Sequence, residues 1–211
     1  MKKIGIIDYG MGNLHSVSTA CNYLGIDTLI SSDPDELSSK TDALILPGVG
    51  AFPDAMERLI ETGMFDYIKH HRGNKPLLGI CLGMQLLFDE SCEVRKCGGL
   101  GLIAGKIVAI NAANFGYKVP HMGWNKLHFT DSGKKSPLLK GITADSYAYF
   151  VHSFMAVPQS GTSIFADTEY GEDVCAVVGD DESDIYGTQF HPEKSGKAGM
   201  QILRNFTELV K

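Results

Sequence analysis

The chain has 211 residues, 44% of them hydrophobic and 21% charged, with a net charge of −6 and an isoelectric point near 5.6. That length and balance fit one soluble domain over residues 1–211, able to bury a core without disulfide staples, and exclude a mainly disordered chain or a multidomain synthase. A mildly acidic chain has no electrostatic footprint for nucleic acid or an anionic membrane, so neither is expected as a partner.

The first half alternates strand and helix. Lys3 to Asp8 is a short apolar run ending in an acid, as a buried strand does. Leu14, Val17, Cys21 and Leu24 follow at helical spacing and stop at Gly25. Thr28–Ile30 and Asp42–Pro47 are two further strands, the latter running into the turn Pro47-Gly-Val-Gly50. Met56, Leu59, Ile60, Met64 and Ile68 mark a helical face with a break expected at Gly63. Lys75–Ile80 is a fourth strand, which passes through Cys81 into a helix carrying Leu82, Leu86 and Phe88. Strands separated by helices of this length imply a parallel sheet covered on both faces.

After about residue 95 the pattern changes to strand-like runs separated by turns: 101–110, 119–129, 147–157, 163–167, 174–178 and 185–190. These predict a smaller antiparallel or mixed subsheet within the same domain. A last helix carries Ala198, Ile202, Leu203, Phe206 and Leu209.

No stretch suits a bilayer. The longest mostly apolar one, 76–88, contains Gln85 and is too short, and Ile4–Ile7 is too short for a signal-peptide core, so the expected location is the cytoplasm. The five cysteines are an odd number in a chain too long for a disulfide scaffold, which favours a reducing compartment. Cys92 and Cys97 have neither a second cysteine pair nor a nearby histidine, so no metal site is expected.

Gly79-Ile-Cys81-Leu-Gly83 is the strongest local signal. A nucleophile on a sharp strand-to-helix turn needs glycines around it, because the turn is strained and neighbouring backbone crowds it. The start of a helix beside the sulfur favours the thiolate. Gln189-Phe-His191-Pro-Glu193 supplies a base and an orienter. Pro192 pushes His191 into extended backbone, and in extended chain Glu193 would fall on the same side as the imidazole. The loop Pro47-Gly-Val-Gly50 ends a strand where open α/β sheets bind ligands, and its N–H groups with that of Leu82 are candidate oxyanion donors. Gly10-Met-Gly-Asn13 is only half a dinucleotide fingerprint, since His15 stands where the third glycine is needed. His152 reads as packing, and His15, His70, His71 and His128 fall in no pattern.

Together these residues resemble the class I (triad) glutamine amidotransferases, whose G-x-C-x-G-x-Q and later H-P-E motifs stand here at Gly79–Gln85 and His191–Glu193. Within that family the chain is similar to the glutaminase subunits of imidazole glycerol phosphate synthase. The similarity is carried by Ile7–Asn13, Leu46–Phe52, Pro120–Asn125, Tyr149–Ser153 and Gln189–Lys194. It implies a flavodoxin-like α/β fold and hydrolysis of L-glutamine to glutamate and ammonia by Cys81, His191 and Glu193, with no cofactor. It implies oxyanion and substrate contacts from Gly48, Val49, Gly50, Leu82, Gln85, Ser153 and Phe154. It also implies a separate (βα)8-barrel cyclase subunit of the histidine pathway that consumes the ammonia to make imidazole glycerol phosphate and AICAR. The docking face for that subunit is expected at Asn13, Trp124, Tyr149 and Lys194. Segments 91–99 and 111–116 match nothing assigned. Three other readings stay open at this point: a triad glutaminase of another pathway, a cysteine peptidase or γ-glutamyl hydrolase, and a sensor built on Cys81.

Overall fold

The computed structural model describes residues 2–70, 74–143 and 145–210; His71 lies outside them. The first half folds as β1 (Lys3–Ile7), α1 (Leu14–Tyr23), β2 (Asp27–Ser31), α2 (Pro34–Lys40), β3 (Ala43–Gly48), α3 (Phe52–Glu61), α4 (Met64–His70), β4 (Leu77–Cys81) and α5 (Leu82–Leu86). It continues through β5 (Phe88–Ser91), β6 (Cys97–Gly98) and β7 (Ile103–Ala109). The second half holds β8 (His121–Lys126), β9 (His128–Phe129), β10 (Tyr147–His152), β11 (Phe154–Pro158), β12 (Ile164–Glu169), β13 (Asp173–Asp180), β14 (Ile185–Thr188) and α6 (Gly196–Glu208).

An eight-stranded sheet in the order β2-β1-β3-β4-β14-β13-β12-β9 forms the frame. Its first five strands are parallel, in the order of a flavodoxin-like doubly wound sheet, and the last three are antiparallel additions. Both faces are covered. Ala43 and Ile45 of β3 and Leu78 and Ile80 of β4 pack with Val17 of α1 and Ile202 and Phe206 of α6. The alternate residues Leu44, Leu46 and Leu77 pack with Leu37 of α2, Leu59 of α3 and Ile68 of α4. Period-2 side chains that are apolar on both faces explain why these strands read as continuous hydrophobic runs.

The structure departs from the sequence reading in four places. The helix after Cys81 ends at Leu86, and Phe88 starts a strand. The short helix α2 was not expected; Asp33 caps it by accepting from the Asp35 N–H (2.8 Å), with Pro34 in its first turn. The subsheet is two pieces, a hairpin of β10 and β8 and a four-stranded sheet β11-β7-β5-β6, in which β5 and β7 run parallel. The change of pattern near residue 95 is not a sheet boundary either, because β9, β12, β13 and β14 return to the main sheet. Gly63, with φ +74, divides α3 from α4 where the break was expected. Among the described residues no helix is long and apolar enough to cross a membrane.

Candidate active site

The fully buried strand β4 delivers Cys81 at the carboxyl edge of the sheet. Cys81 itself has φ +56, a conformation that costs a non-glycine residue on the order of 1–3 kcal/mol and that the surrounding backbone must enforce. Three glycines let that backbone close in. A Cβ on Gly83 would lie 1.8 Å from the Leu46 carbonyl oxygen, one on Gly79 2.6 Å from the Gly83 oxygen, and one on Gly48 2.8 Å from the Gly83 nitrogen. The ends of β3 and β4 and the start of α5 therefore share a space with no room for side chains.

His191 arrives from the neighbouring strand. β14 pairs in parallel with β4, Thr188 opposite Ile80, so the segment beyond β14 emerges level with Cys81. The His191 N–H is held by the Tyr149 carbonyl (3.2 Å), and its own carbonyl accepts from Ser195 Oγ (2.7 Å). As Pro192 requires, His191 is extended (φ −91, ψ 102). The next three residues instead form a 3-10 turn, Pro192–Lys194, and this turn, not extended chain, brings Glu193 back to the ring. His191 Nδ1 lies 2.9 Å from Glu193 Oε1, and the two side chains are only 5% and 1% exposed. The imidazole and Cys81 line the same cavity. Burial by itself pushes His191 down; hydrogen bonds and negative charge from Cys81 and Glu193 outweigh it and hold the imidazole at about 9. The surroundings thus favour the charged form of His191.

A cavity of about 360 Å³ opens beside Cys81. Val49, Gly50, Leu82, Gln85, Ser153 and Phe154 line it with Cys81 and His191. Gly48 stands just behind, paired with Cys81 across β3 and β4. Gln85 donates both amide N–H bonds to the protein, to Phe154 O (2.9 Å) and Gln189 Oε1 (3.0 Å), leaving its own oxygen as the free polar atom.

The four residues expected on a docking face fall into two groups, Trp124 with Tyr149 and Asn13 with Lys194 near the start of α1. Trp124 is 54% exposed and sits directly across the β8–β10 hairpin from Tyr149, ring centroids 6.0 Å apart. The Tyr149 carbonyl accepts from the His191 N–H. Asn13 caps α1, accepting from the Ser16 N–H (3.3 Å), and Lys194 lines a groove with His15 and Ser16 of that helix.

A family model, glutamine amidotransferase class-I, matches residues 5–209. The imidazole glycerol phosphate synthase subunit HisH of Geobacillus thermodenitrificans is 52% identical, the alignment covering 100% of this chain and 97% of that protein. The subunit of the same name from Caldanaerobacter subterraneus subsp. tengcongensis is 50% identical over 99% of this chain and 98% of its own. The chain belongs to the class-I glutamine amidotransferases, among the HisH subunits. It is an enzyme subunit with glutaminase activity in histidine biosynthesis. Solved structures agree on the fold. PurLQS from Thermotoga maritima superimposes with a TM-score of 0.75 at 18% identity, over 100% of this chain and 99% of the other. A glutamine amidotransferase gives 0.72 at 21% identity, over 98% of each.

Two features of this amidotransferase escaped sequence reasoning. Glu93, in the unassigned segment 91–99, lines the cavity and accepts the Phe52 N–H (2.9 Å) at the start of α3. No motif pointed to it. His152 and His121 form a buried pair, His121 Nδ1 to His152 Nε2 at 3.0 Å, anchored by Phe154 O (2.9 Å) at one end and Asn125 Oδ1 (2.9 Å) at the other. Burial pushes His152 down to about 3. Its packing was expected, whereas its pairing with His121 was not, the recurrence of His in two strand motifs being the only signal.

Proposed function

We propose that Cys81, His191 and Glu193 carry out the glutaminase reaction in the cavity beside β4. The observation that carries this is the buried His191–Glu193 contact at 2.9 Å, with His191 lining the same cavity as a cysteine on a strained elbow. The Cys81 thiolate adds to the side-chain amide carbon of L-glutamine. The negative oxygen that forms is met by the Leu82 N–H and by the Gly48-Val49-Gly50 loop, each well-placed donor contributing roughly 2.7–4 kcal/mol in the transition state. His191 gives its proton to the departing nitrogen, releasing ammonia and leaving a γ-glutamyl thioester. The neutral imidazole then takes a proton from water as that water attacks, and collapse of the second intermediate releases glutamate and restores the thiolate–imidazolium pair. Glu193 holds the ring in the required tautomer throughout.

Gln85, Gly48, Gly50 and the Ser153–Phe154 backbone hold the amino-acid end of glutamine, the free Gln85 oxygen suiting its ammonium. No metal or organic cofactor enters any step. In neutral water ammonia is mostly protonated and no longer nucleophilic, so it passes directly to a cyclase subunit of (βα)8-barrel fold. That subunit docks over Asn13, Trp124, Tyr149 and Lys194. The whole chain acts as one domain in the cytoplasm. The test is Cys81→Ala in the two-subunit enzyme. Glutamine-dependent formation of imidazole glycerol phosphate is lost, while formation from added ammonium salt persists. Near-native release of glutamate by this variant refutes the nucleophile assignment.

A further inference from the structure

Gln189 is wholly buried one residue beyond β14, and its side chain lies between Gln85 and Cys81. Gln85 Nε2 donates to Gln189 Oε1 at 3.0 Å, and Gln189 Nε2 faces Cys81 Sγ at 3.9 Å. The orientation of both amides follows from the far end of this chain. Phe154 O, 2.9 Å from the Gln85 amide, can only accept, so the nitrogen of Gln85 points there. Its second N–H then requires the oxygen of Gln189, and the group left facing the sulfur is an N–H donor. The other polar atom at the sulfur, Val151 O at 4.0 Å, can only accept; it suits a thiol and offers nothing to a thiolate. The Gln189 backbone N–H is engaged by Ala176 O (2.9 Å), so a backbone bond also holds the residue in place.

We propose that Gln189 is a further catalytic residue, whose side-chain N–H, aligned through Gln85 from the Phe154 carbonyl, stabilises the Cys81 thiolate in its attacking position. The inference rests on Cys81 being the nucleophile. Its physical basis is that a buried anion must find donors in the protein once water is excluded. Charge-assisted hydrogen bonds are the strong ones, and cooperative chains strengthen their last member. His191 supplies one donor from the side of the leaving group; Gln189 supplies a second, non-titrating one that persists after His191 has given up its proton.

Two substitutions separate this role from a structural one. Gln189→Glu keeps an acceptor oxygen for Gln85, removes the donor at the sulfur and adds a negative charge there; Gln189→Met, of similar size, removes donor and acceptor without adding charge. Each is measured in the two-subunit enzyme for kcat and KM. Cys81 alkylation by iodoacetamide is followed across pH by mass spectrometry of its peptide. The expected result for both variants is a kcat about tenfold to a hundredfold lower, KM for glutamine within threefold for Gln189→Glu, and a Cys81 alkylation profile moved to higher pH. A Gln189→Glu enzyme with native kcat and an unmoved profile, beside a damaged Gln189→Met, would mean that Gln189 serves only to hold Gln85, and overturns the proposal. If either variant fails to fold, the wild-type chain decides. The 15N side-chain amide signals of Gln189 must move as Cys81 titrates, and that movement must vanish in Cys81→Ser; static signals overturn the proposal. Loss of function in Cys81→Ala is separate, and its failure would sink the nucleophile reading instead.

Discussion

Replacing Glu193 with glutamine preserves size and an oxygen that accepts from His191 Nδ1, and removes one negative charge from a sealed contact. The imidazole stands at about 9 instead of its ordinary 6.5, which corresponds to about 3 kcal/mol in favour of the charged ring. Cys81 and Glu193 share that effect against the opposing effect of burial, and a hydrogen bond to a charged group is typically worth about 1.5–3 kcal/mol. If the same stabilisation is felt when His191 delivers its proton, kcat falls about tenfold to a hundredfold. Glu193 does not line the cavity beside Cys81, so KM should stay within about twofold. The assay is glutamate release by the two-subunit enzyme over a glutamine series, coupled to glutamate dehydrogenase. A kcat within threefold of wild type, or a loss carried entirely by KM, refutes the orienting role.

Gly83→Ala places a methyl group 1.8 Å from the Leu46 oxygen and should lower unfolding free energy by about 3 kcal/mol or more while abolishing glutaminase activity; urea denaturation measures the first effect. Trp124→Ala should leave the melting temperature near native, since the side chain is half exposed, yet weaken association with the cyclase by roughly thirtyfold or uncouple glutamate from product; calorimetry and a paired product assay check both. His191, held above its unfolded value, contributes stability that is fully present below pH 6.5 and is lost as pH rises through about 9. Chemical denaturation across that range should therefore show wild type losing more stability than His191→Asn, and equal losses would remove His191 as the source.

Most of the site was legible because its chemistry imposes local sequence rules. Gly79, Cys81 and Gly83 announce a crowded turn, and the crowding is backbone against backbone. His191 and Glu193 sit close in sequence, so their meeting required only a local geometry; the contact was foreseen although the 3-10 turn that makes it was not. What stayed hidden depends on distant partners. Glu93 reaches the cavity through a segment of irregular composition, and the small sheet pairs β5 with β7 in parallel and β6 antiparallel, which no periodicity encodes. The helix α2 was overlooked because it is seven residues long, although Asp33 and Pro34 are a recognisable cap.

The pairing of β4 with β14 carries a consequence for how the enzyme comes into being. Cys81 and Gln189 are 108 residues apart, yet their strands are neighbours at the centre of the main sheet. Non-local parallel pairing forms slowly, because loop closure precedes any gain from the contact. On the ribosome the strands β1 to β4 can associate early, but the slot beside β4 stays open until residues 185–188 have been made. A nascent or truncated chain that ends before residue 191 carries Cys81 without the His191–Glu193 pair beside it. On the proposed mechanism, hydrolysis is therefore withheld until His191 and Glu193, just beyond the last strand, are in place, a form of quality control written into strand order.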